Sequence, residues 1–155
     1  MKSLRIDTTC DRDITPDRET IRLTRSSRRV LIVEDNFFVA HQCERALVEA
    51  GYEIVAIVAT ADDAVKEALE RHPALVLMDI YLPGSRDGID AALEIFERAG
   101  IRSIFASALT DAAGRARADA AHPVAWLAKP FSDRRLIATV DSAIEEANAR
   151  LPAGV

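Results

Sequence analysis

Residues 74–79 read ALVLMD, an unbroken apolar run that ends in a carboxylate. Continuous apolar character over a short run is typical of a strand buried on both faces, as in a parallel sheet. Four similar runs occur elsewhere in the chain: 30–33 (VLIV), 54–58 (IVAIV), 103–106 (SIFA) and 124–127 (VAWL). The chain therefore carries five predicted strands.

Segments with helical periodicity separate these runs. Gly51, Pro73 and Gly100 stand where the first three predicted helices end, and Ser132 is expected to cap the last one. The fourth helix, around Asp111 to Ala121, consists mostly of alanine and arginine, so it should bury little apolar area and be the least firmly held. Five strands that alternate with five helices predict an α/β doubly wound, flavodoxin-like parallel sheet. In one common strand order, 2-1-3-4-5, ligands bind beyond the ends of the first and third strands.

Length and composition predict one globular domain. The 155 residues are 49% hydrophobic and 29% charged, which is enough apolar material to form a core. We assign residues 29–150 to the folded domain and residues 151–155 to a tail. The polar residues 1–28 form an N-terminal extension that we expect to be partly disordered or to contain one short helix. An attached output domain is not expected at this length.

Charge and hydropathy exclude several classes of protein. The formal net charge of −5 argues against direct binding to nucleic acid. The spacing of Cys10 and Cys43 fits neither a metal site nor a redox motif, and we expect no disulfide. No apolar run approaches the roughly 18 residues of a membrane span, and residues 1–9 lack the apolar stretch of a signal peptide. We therefore expect a cytoplasmic protein with no membrane partner.

Carboxylates stand at two strand ends that the doubly wound order places side by side. Glu34 and Asp35 follow the first strand, and Asp79 ends the third. Three like charges repel one another unless a hard cation neutralises them, and Mg²⁺ (or Mn²⁺) suits carboxylates together with phosphate oxygens. Ser107 ends the fourth strand and Lys129 the fifth, so a hydroxyl and a compact ammonium, well suited to phosphate, join the same edge.

This pattern resembles the receiver domain of response regulators, the CheY-like family of bacterial two-component systems. The resemblance covers about residues 29–148. It implies a single-domain response regulator that takes a phosphoryl group from a phosphohistidine of a sensor histidine kinase or phosphotransfer protein, and that signals by changing conformation. The motifs that carry it are Glu34-Asp35, Asp79 followed by Leu82-Pro83-Gly84, Asp87-Gly88, Ser107-Ala108 and Lys129-Pro130-Phe131.

The resemblance also implies the composition of the phosphorylation site. Asp79 is the expected phosphoacceptor. Glu34, Asp35 and the backbone carbonyl of Tyr81 are expected to help Asp79 hold Mg²⁺. The segment 83–88 is one residue longer than the usual loop of the family, and it lies next to Tyr81 and to the start of the third helix.

Further residues are expected to transmit the phosphorylation signal. Ser107 is the expected switch hydroxyl and Lys129 the phosphate contact, with a cis peptide bond between Lys129 and Pro130. Trp126 occupies the aromatic switch position of the family, and we expect it to turn inward when Ser107 moves toward the phosphoryl group. Packing in the core is the alternative explanation for this tryptophan.

Two positions border the path of hydrolytic water in this family. They are occupied by Tyr81, two residues after the phosphoacceptor, and by Leu109, two residues after Ser107. Neither side chain offers a carboxylate or an amide that could orient a water molecule, so we expect slow self-dephosphorylation. Apart from its own phosphorylation and dephosphorylation, the protein is not expected to act as an enzyme.

Partners and competing functions also follow from the resemblance. A downstream protein target is expected on the face formed by helix 4, strand 5 and helix 5. The resemblance leaves open whether the protein forms a homodimer. One alternative is an adaptor with a receiver fold that works without phosphorylation, and another is a phosphate sink for a shared kinase. A metal-dependent phosphatase is not favoured, because residues 79–81 contain no second catalytic acid.

Overall fold

The computed structural model describes Arg18, residues 27–108 and residues 111–149. The predictions made for most of the N-terminal extension, for Leu109 and for the tail lie outside these residues. Strands and helices alternate along the described chain: β1 (Arg29–Val33), α1 (Phe37–Glu49), β2 (Glu53–Val58), α2 (Ala61–Arg71), β3 (Leu75–Asp79), α3 (Gly88–Ala99), β4 (Ser103–Ser107), α4 (Ala112–Asp119), β5 (Ala125–Ala128) and α5 (Asp133–Ala149).

The five strands form one parallel sheet in the order β2-β1-β3-β4-β5. This confirms the predicted fold and strand order. In the register, Val33 of β1 lies beside Met78 of β3, and Asp79 lies beside Ala106 of β4. The carboxyl ends of β1, β3 and β4 therefore meet at one edge of the sheet, where the sequence places its acidic residues.

Helices cover both faces of the sheet, which explains why the strands are apolar without alternation. Every residue of β3 and of β4 is buried. Successive side chains point to opposite faces, so each strand feeds two separate cores. One core packs against α2, α3 and α4 and includes Leu31, Val33, Val76, Met78 and Phe105. The other packs against α1 and α5 and includes Val30, Ile32, Leu75, Leu77 and Ile104.

Side-chain caps fix where the helices begin. Thr60 accepts a hydrogen bond from the Asp63 backbone N–H at 3.2 Å, and Ser132 accepts one from Arg135 at 3.2 Å. At α3, Asp87 and Asp90 each accept the other's backbone N–H, at 2.9 and 3.1 Å. This reciprocal capping box was not anticipated, although the D-x-x-D spacing is visible in the sequence.

The fourth helix is weakly anchored by apolar contacts. Of the eight residues described for α4, Ala118 is the buried one, as the alanine- and arginine-rich sequence leads one to expect. Polar contacts must therefore contribute a large share of what holds α4 against its neighbours. Among the residues described, no helix is both long enough and apolar enough to cross a membrane.

Candidate phosphoacceptor and metal site

Three carboxylates meet at the carboxyl edge of the sheet. Glu34, directly after β1, and Asp79, at the end of β3, are 7% and 6% exposed, whereas Asp35 is exposed. One carboxylate oxygen from each of the three lies within 4.8 Å of the others. A set of clustered carboxylate oxygens is the donor type that hard divalent cations such as Mg²⁺ prefer, so these residues fit the metal that the sequence implies.

Lys129 reaches into the same cluster from the far end of β5. Its Nζ donates a hydrogen bond to Glu34 Oε2 and lies 3.5 Å from Asp79 Oδ2. Burial opposes the charge on this lysine, but the hydrogen bond to Glu34 and the charge of Asp79 outweigh it and raise the pKa of Lys129. The side chain is therefore a cation beside the candidate phosphoacceptor.

The backbone holds the end of β5 against the end of β4. The Lys129 N–H donates to the Ser107 carbonyl at 3.0 Å, and the Lys129–Pro130 peptide bond is cis. Ser107 itself is 6% exposed and lies one residue beyond the position that pairs with Asp79. The hydroxyl and the ammonium that the sequence singled out thus come from neighbouring strand ends.

Backbone N–H groups orient two of the carboxylates. The Asn36 N–H donates to Glu34 Oε1 at 3.0 Å, and the Tyr81 N–H donates to Asp79 Oδ1 at 3.3 Å. Asn36 also caps α1 through its own side chain, which accepts from Phe38 and Val39. Asn36 was not among the site residues predicted from the sequence, although an asparagine directly before a helix is a recognisable cap signal.

Gly88, the first residue of α3, lies directly against the backbone of Asp79. Its N–H donates to the Ile80 carbonyl at 2.8 Å. A Cβ placed on Gly88 would lie 1.9 Å from the Asp79 carbonyl oxygen and 2.8 Å from its carbonyl carbon. Glycine is required here by this close approach, and the sequence had marked Gly88 as part of a family motif without supplying that reason.

Trp126 lies on β5 in a half-buried position. Its ring packs against Phe105 at a centroid distance of 5.0 Å. The Arg115 guanidinium lies over the Trp126 ring, 4.5 Å from the ring centroid. Tyr81, by contrast, is 64% exposed. Trp126 therefore contacts α4 through Arg115, whereas Tyr81 contacts Asp79 through its backbone N–H.

Burial and the neighbouring charge of Glu34 raise the pKa of Asp79 from 3.8 to about 6, despite the opposing effect of Lys129. The folded protein therefore binds this proton more tightly than the unfolded chain does. Stability from Asp79 is fully present below about pH 4 and is lost as the pH rises through about 6.

We therefore expect Asp79→Asn to stabilise the metal-free protein at pH 7 by about 3 kcal/mol, and to have little effect near pH 4. Urea unfolding of both proteins in EDTA, at several pH values, measures this difference. Comparing the two proteins cancels the titration of the groups that do not interact with Asp79. A stability difference that does not vary with pH would contradict the assignment, and added Mg²⁺ should narrow the difference at pH 7.

Fold and site together define a doubly wound α/β domain with three clustered carboxylates and a lysine at the switch point of its sheet. The family model described as the response regulator receiver domain matches residues 30–141. The chain belongs to this family, which places it in two-component signalling.

Individual relatives agree with that assignment. The chain is 41% identical over 119 residues to the transcriptional regulatory protein PdtaR of Mycobacterium tuberculosis (strain ATCC 25618 / H37Rv), covering 76% of this chain and 57% of that protein. It thus spans little more than half the length of that relative. It is 33% identical over 119 residues to the chemotaxis protein CheY of Bacillus subtilis (strain 168), covering 76% of this chain and 98% of that protein.

A solved structure is similar over most of the domain. The signal receiver domain of a modulated diguanylate cyclase from Desulfovibrio desulfuricans G20 superposes with a TM-score of 0.73 at 29% sequence identity. The superposition covers 78% of this chain and 96% of that chain. This similarity supports the receiver fold independently of the family match.

Proposed function

We propose that the protein accepts a phosphoryl group on Asp79 from a phosphohistidine of a sensor histidine kinase or a histidine phosphotransfer protein, in a Mg²⁺-dependent reaction. The observation that carries this proposal is the buried Asp79 carboxylate between two further acids, Glu34 and Asp35, and the Lys129 ammonium. Crowding like charges beside one cation is costly for a domain that has no anion or metal to bind.

The site residues divide the work of phosphoryl transfer. An Asp79 carboxylate oxygen attacks phosphorus, and the bond from phosphorus to the donor imidazole nitrogen breaks with its electron pair left on that nitrogen. The Tyr81 N–H, already bonded to Asp79 Oδ1, restrains the carboxylate for attack. Lys129 is placed to contact an oxygen of the incoming phosphoryl group.

Magnesium would be held by Glu34, Asp35 and Asp79, with the Tyr81 backbone carbonyl as the further ligand implied by the family. When bound, the metal supplies positive charge against the phosphoryl oxygens. The three carboxylates account for the donor set that such a cation requires. Their clustering is the structural support for including Mg²⁺ in this proposal.

The signal leaves the site through Ser107 and Trp126. The phosphoryl oxygens attract the Ser107 hydroxyl, and Trp126 turns into the space that opens at the end of β4. α4 then shifts, because it is attached to the domain by one buried alanine and by polar contacts. This sequence of movements follows the general logic of a local charge change that biases a two-state element.

Three exposed aromatic side chains lie close to the site carboxylates in the sequence. Phe37 and Phe38, at the start of α1, are 73% and 81% exposed, and Tyr81 is 64% exposed. All three lie within three residues of a site carboxylate in the sequence. A donor protein that covers them would exclude water from the reacting atoms.

The other expectations complete the proposal. The protein works in the cytoplasm, contacts its downstream protein target through α4, β5 and α5, and turns over no substrate other than its own phosphoryl group. Self-dephosphorylation is slow, because Tyr81, two residues after Asp79, offers no carboxylate or amide that could orient hydrolytic water. An adaptor that works without phosphorylation is not favoured, because it would have no use for the buried acid cluster.

Acetyl phosphate supplies a direct test. Intact-mass spectra of the protein incubated with acetyl phosphate and Mg²⁺ should show the addition of one phosphoryl group, and the same incubation with EDTA should show none. No adduct in the presence of Mg²⁺ would refute the proposal. If an adduct forms but no downstream protein binds the phosphorylated form, the protein serves as a phosphate sink rather than as a signal output.

A further inference from the structure

Arg117 connects α4 to the first turn of α3. Its guanidinium donates to both carboxylate oxygens of Asp87, at 3.0 and 3.2 Å, and to Asp90 Oδ1 at 3.1 Å. A two-pronged arginine–carboxylate contact fixes orientation as well as distance. Burial opposes the charge on Asp87, but the hydrogen bonds from Arg117 and from the Asp90 backbone outweigh it and lower the pKa of Asp87.

The α3 end of this contact lies beside the phosphoacceptor. Asp87 precedes Gly88, and Gly88 donates its N–H to the Ile80 carbonyl and leaves no space for a side chain against the Asp79 carbonyl. Arg117 is therefore linked to the backbone that carries Asp79 through two consecutive residues. A movement of α4 that strains or breaks the Arg117 contact is therefore transmitted to the backbone of Asp79.

Arg115 connects α4 to β5 on a different side of the helix. Its guanidinium lies 4.5 Å from the centroid of the Trp126 ring, within the range of a cation–π contact. Residues two apart on a helix do not face the same way, so Arg115 and Arg117 hold α4 from two directions. Because Ala118 is the buried residue of α4, these two side chains contribute much of its attachment.

We propose that Arg115 and Arg117 form a two-point latch that opposes activation of the domain. In the conformation described here, Trp126 is half-buried beneath Arg115, and Arg117 grips Asp87. The inward turn of Trp126 removes the first contact, and a shift of α4 removes the second. Contacts that are present in one state alone stabilise that state, so they raise the free energy of the other state relative to it.

This inference rests on the proposed function, because it assumes that phosphorylation moves Trp126 and α4. It makes a quantitative statement about the phosphate mimic beryllofluoride. Removing a contact that opposes activation must tighten the binding of any ligand that favours the activated state. An exposed ion pair or cation–π contact corresponds to a change of about two- to fivefold in that affinity.

The test measures binding of beryllofluoride with Mg²⁺ by calorimetry, which does not depend on the fluorescence of Trp126. Arg115→Ala and Arg117→Ala should each bind about two- to fivefold more tightly than the parent protein, and the double variant about tenfold. Arg117→Lys keeps the charge but loses the two-pronged guanidinium. Its affinity for beryllofluoride should lie between those of the parent protein and Arg117→Ala. Unchanged or weaker binding in all three alanine variants overturns the latch.

Arg98→Ala is the matched control. Arg98 is an exposed arginine in a 2.9 Å ion pair with Glu94 of its own helix, and this pair makes no bridge to α4. Its removal should leave the affinity for beryllofluoride unchanged, so a tightening equal to that of Arg117→Ala would overturn the latch as a general charge effect.

A second measurement tests the physical contacts without any phosphate mimic. Amide hydrogen exchange in α4 should be faster in Arg117→Ala than in Arg98→Ala, and equal rates would show that Arg117 does not hold the helix. If the parent protein binds no beryllofluoride, the proposed function fails, whereas normal binding by the parent with unshifted variants removes the latch alone.

Discussion

Asp79→Asn is expected to abolish the phosphoryl adduct formed with acetyl phosphate, the largest functional effect of any single substitution in the domain. The asparagine amide keeps the size of the side chain but lacks a nucleophilic carboxylate oxygen, so no acyl phosphate can form. Intact-mass spectra under identical conditions measure the result directly. Asp63→Asn, at an exposed acid in the first turn of α2, is the control and should be phosphorylated normally.

Loss of the adduct in this variant cannot be attributed to unfolding, because the same substitution is expected to stabilise the metal-free protein at pH 7. The burial and the Glu34 charge that raise the pKa of Asp79 penalise the native carboxylate and not an amide. A variant that unfolds less readily and yet accepts no phosphoryl group would assign the chemistry to Asp79. An adduct that survives the substitution would instead place phosphorylation at another residue.

Gly88→Ala is expected to cause the largest loss of stability, about 3 kcal/mol, from a single added methyl group. The new Cβ would lie 1.9 Å from the Asp79 carbonyl oxygen. The atoms that it would contact, in the Asp79 carbonyl and at Ile80 Cα, belong to the backbone and cannot rotate away. The start of α3 or the end of β3 must therefore move. Urea unfolding measures the stability, and the yield of adduct per folded molecule should fall because Asp79 is displaced.

Gly84→Ala, in the loop that precedes α3, provides the comparison. Gly84 has a φ of 101°, which disfavours any side chain, but a Cβ there would contact nothing within 4 Å. Its substitution should cost about 1 kcal/mol and leave phosphorylation intact. Gly88, unlike Gly84, does not have a positive φ, so a cost at Gly88 no larger than that at Gly84 would contradict the close approach to Asp79.

The strands were predictable because both faces of the sheet are covered. Runs such as 74–78 and 104–106 are apolar throughout, and a strand covered on both faces buries every residue of such a run. The observed strands nevertheless extend to flanking residues such as Arg29, Glu53 and Ser107, which take part in the ladder while lying at its ends. Hydrophobicity does not report that pairing, so the strand limits differ by a residue or so.

The candidate site was predictable in its residue types and not in its contacts. Each carboxylate stands at a strand end, and the strand order alone brings β1 beside β3. The hydrogen bond from Lys129 to Glu34 joins residues 95 apart, and nothing in the local sequence of either residue indicates it. The Arg117–Asp87 contact was equally invisible, because an arginine in an alanine-rich helix gives no sign of which acid it meets.

The parallel ladder sets the dimensions of the reaction centre. Glu34 and Asp79 leave adjacent hydrogen-bonded strands, whose separation of roughly 4.8 Å is a property of the peptide backbone rather than of any loop. Helix surfaces can therefore be rewritten freely while the chemical distances stay constant. Domains of this kind can therefore change the partner proteins that they bind while the geometry of the site stays the same.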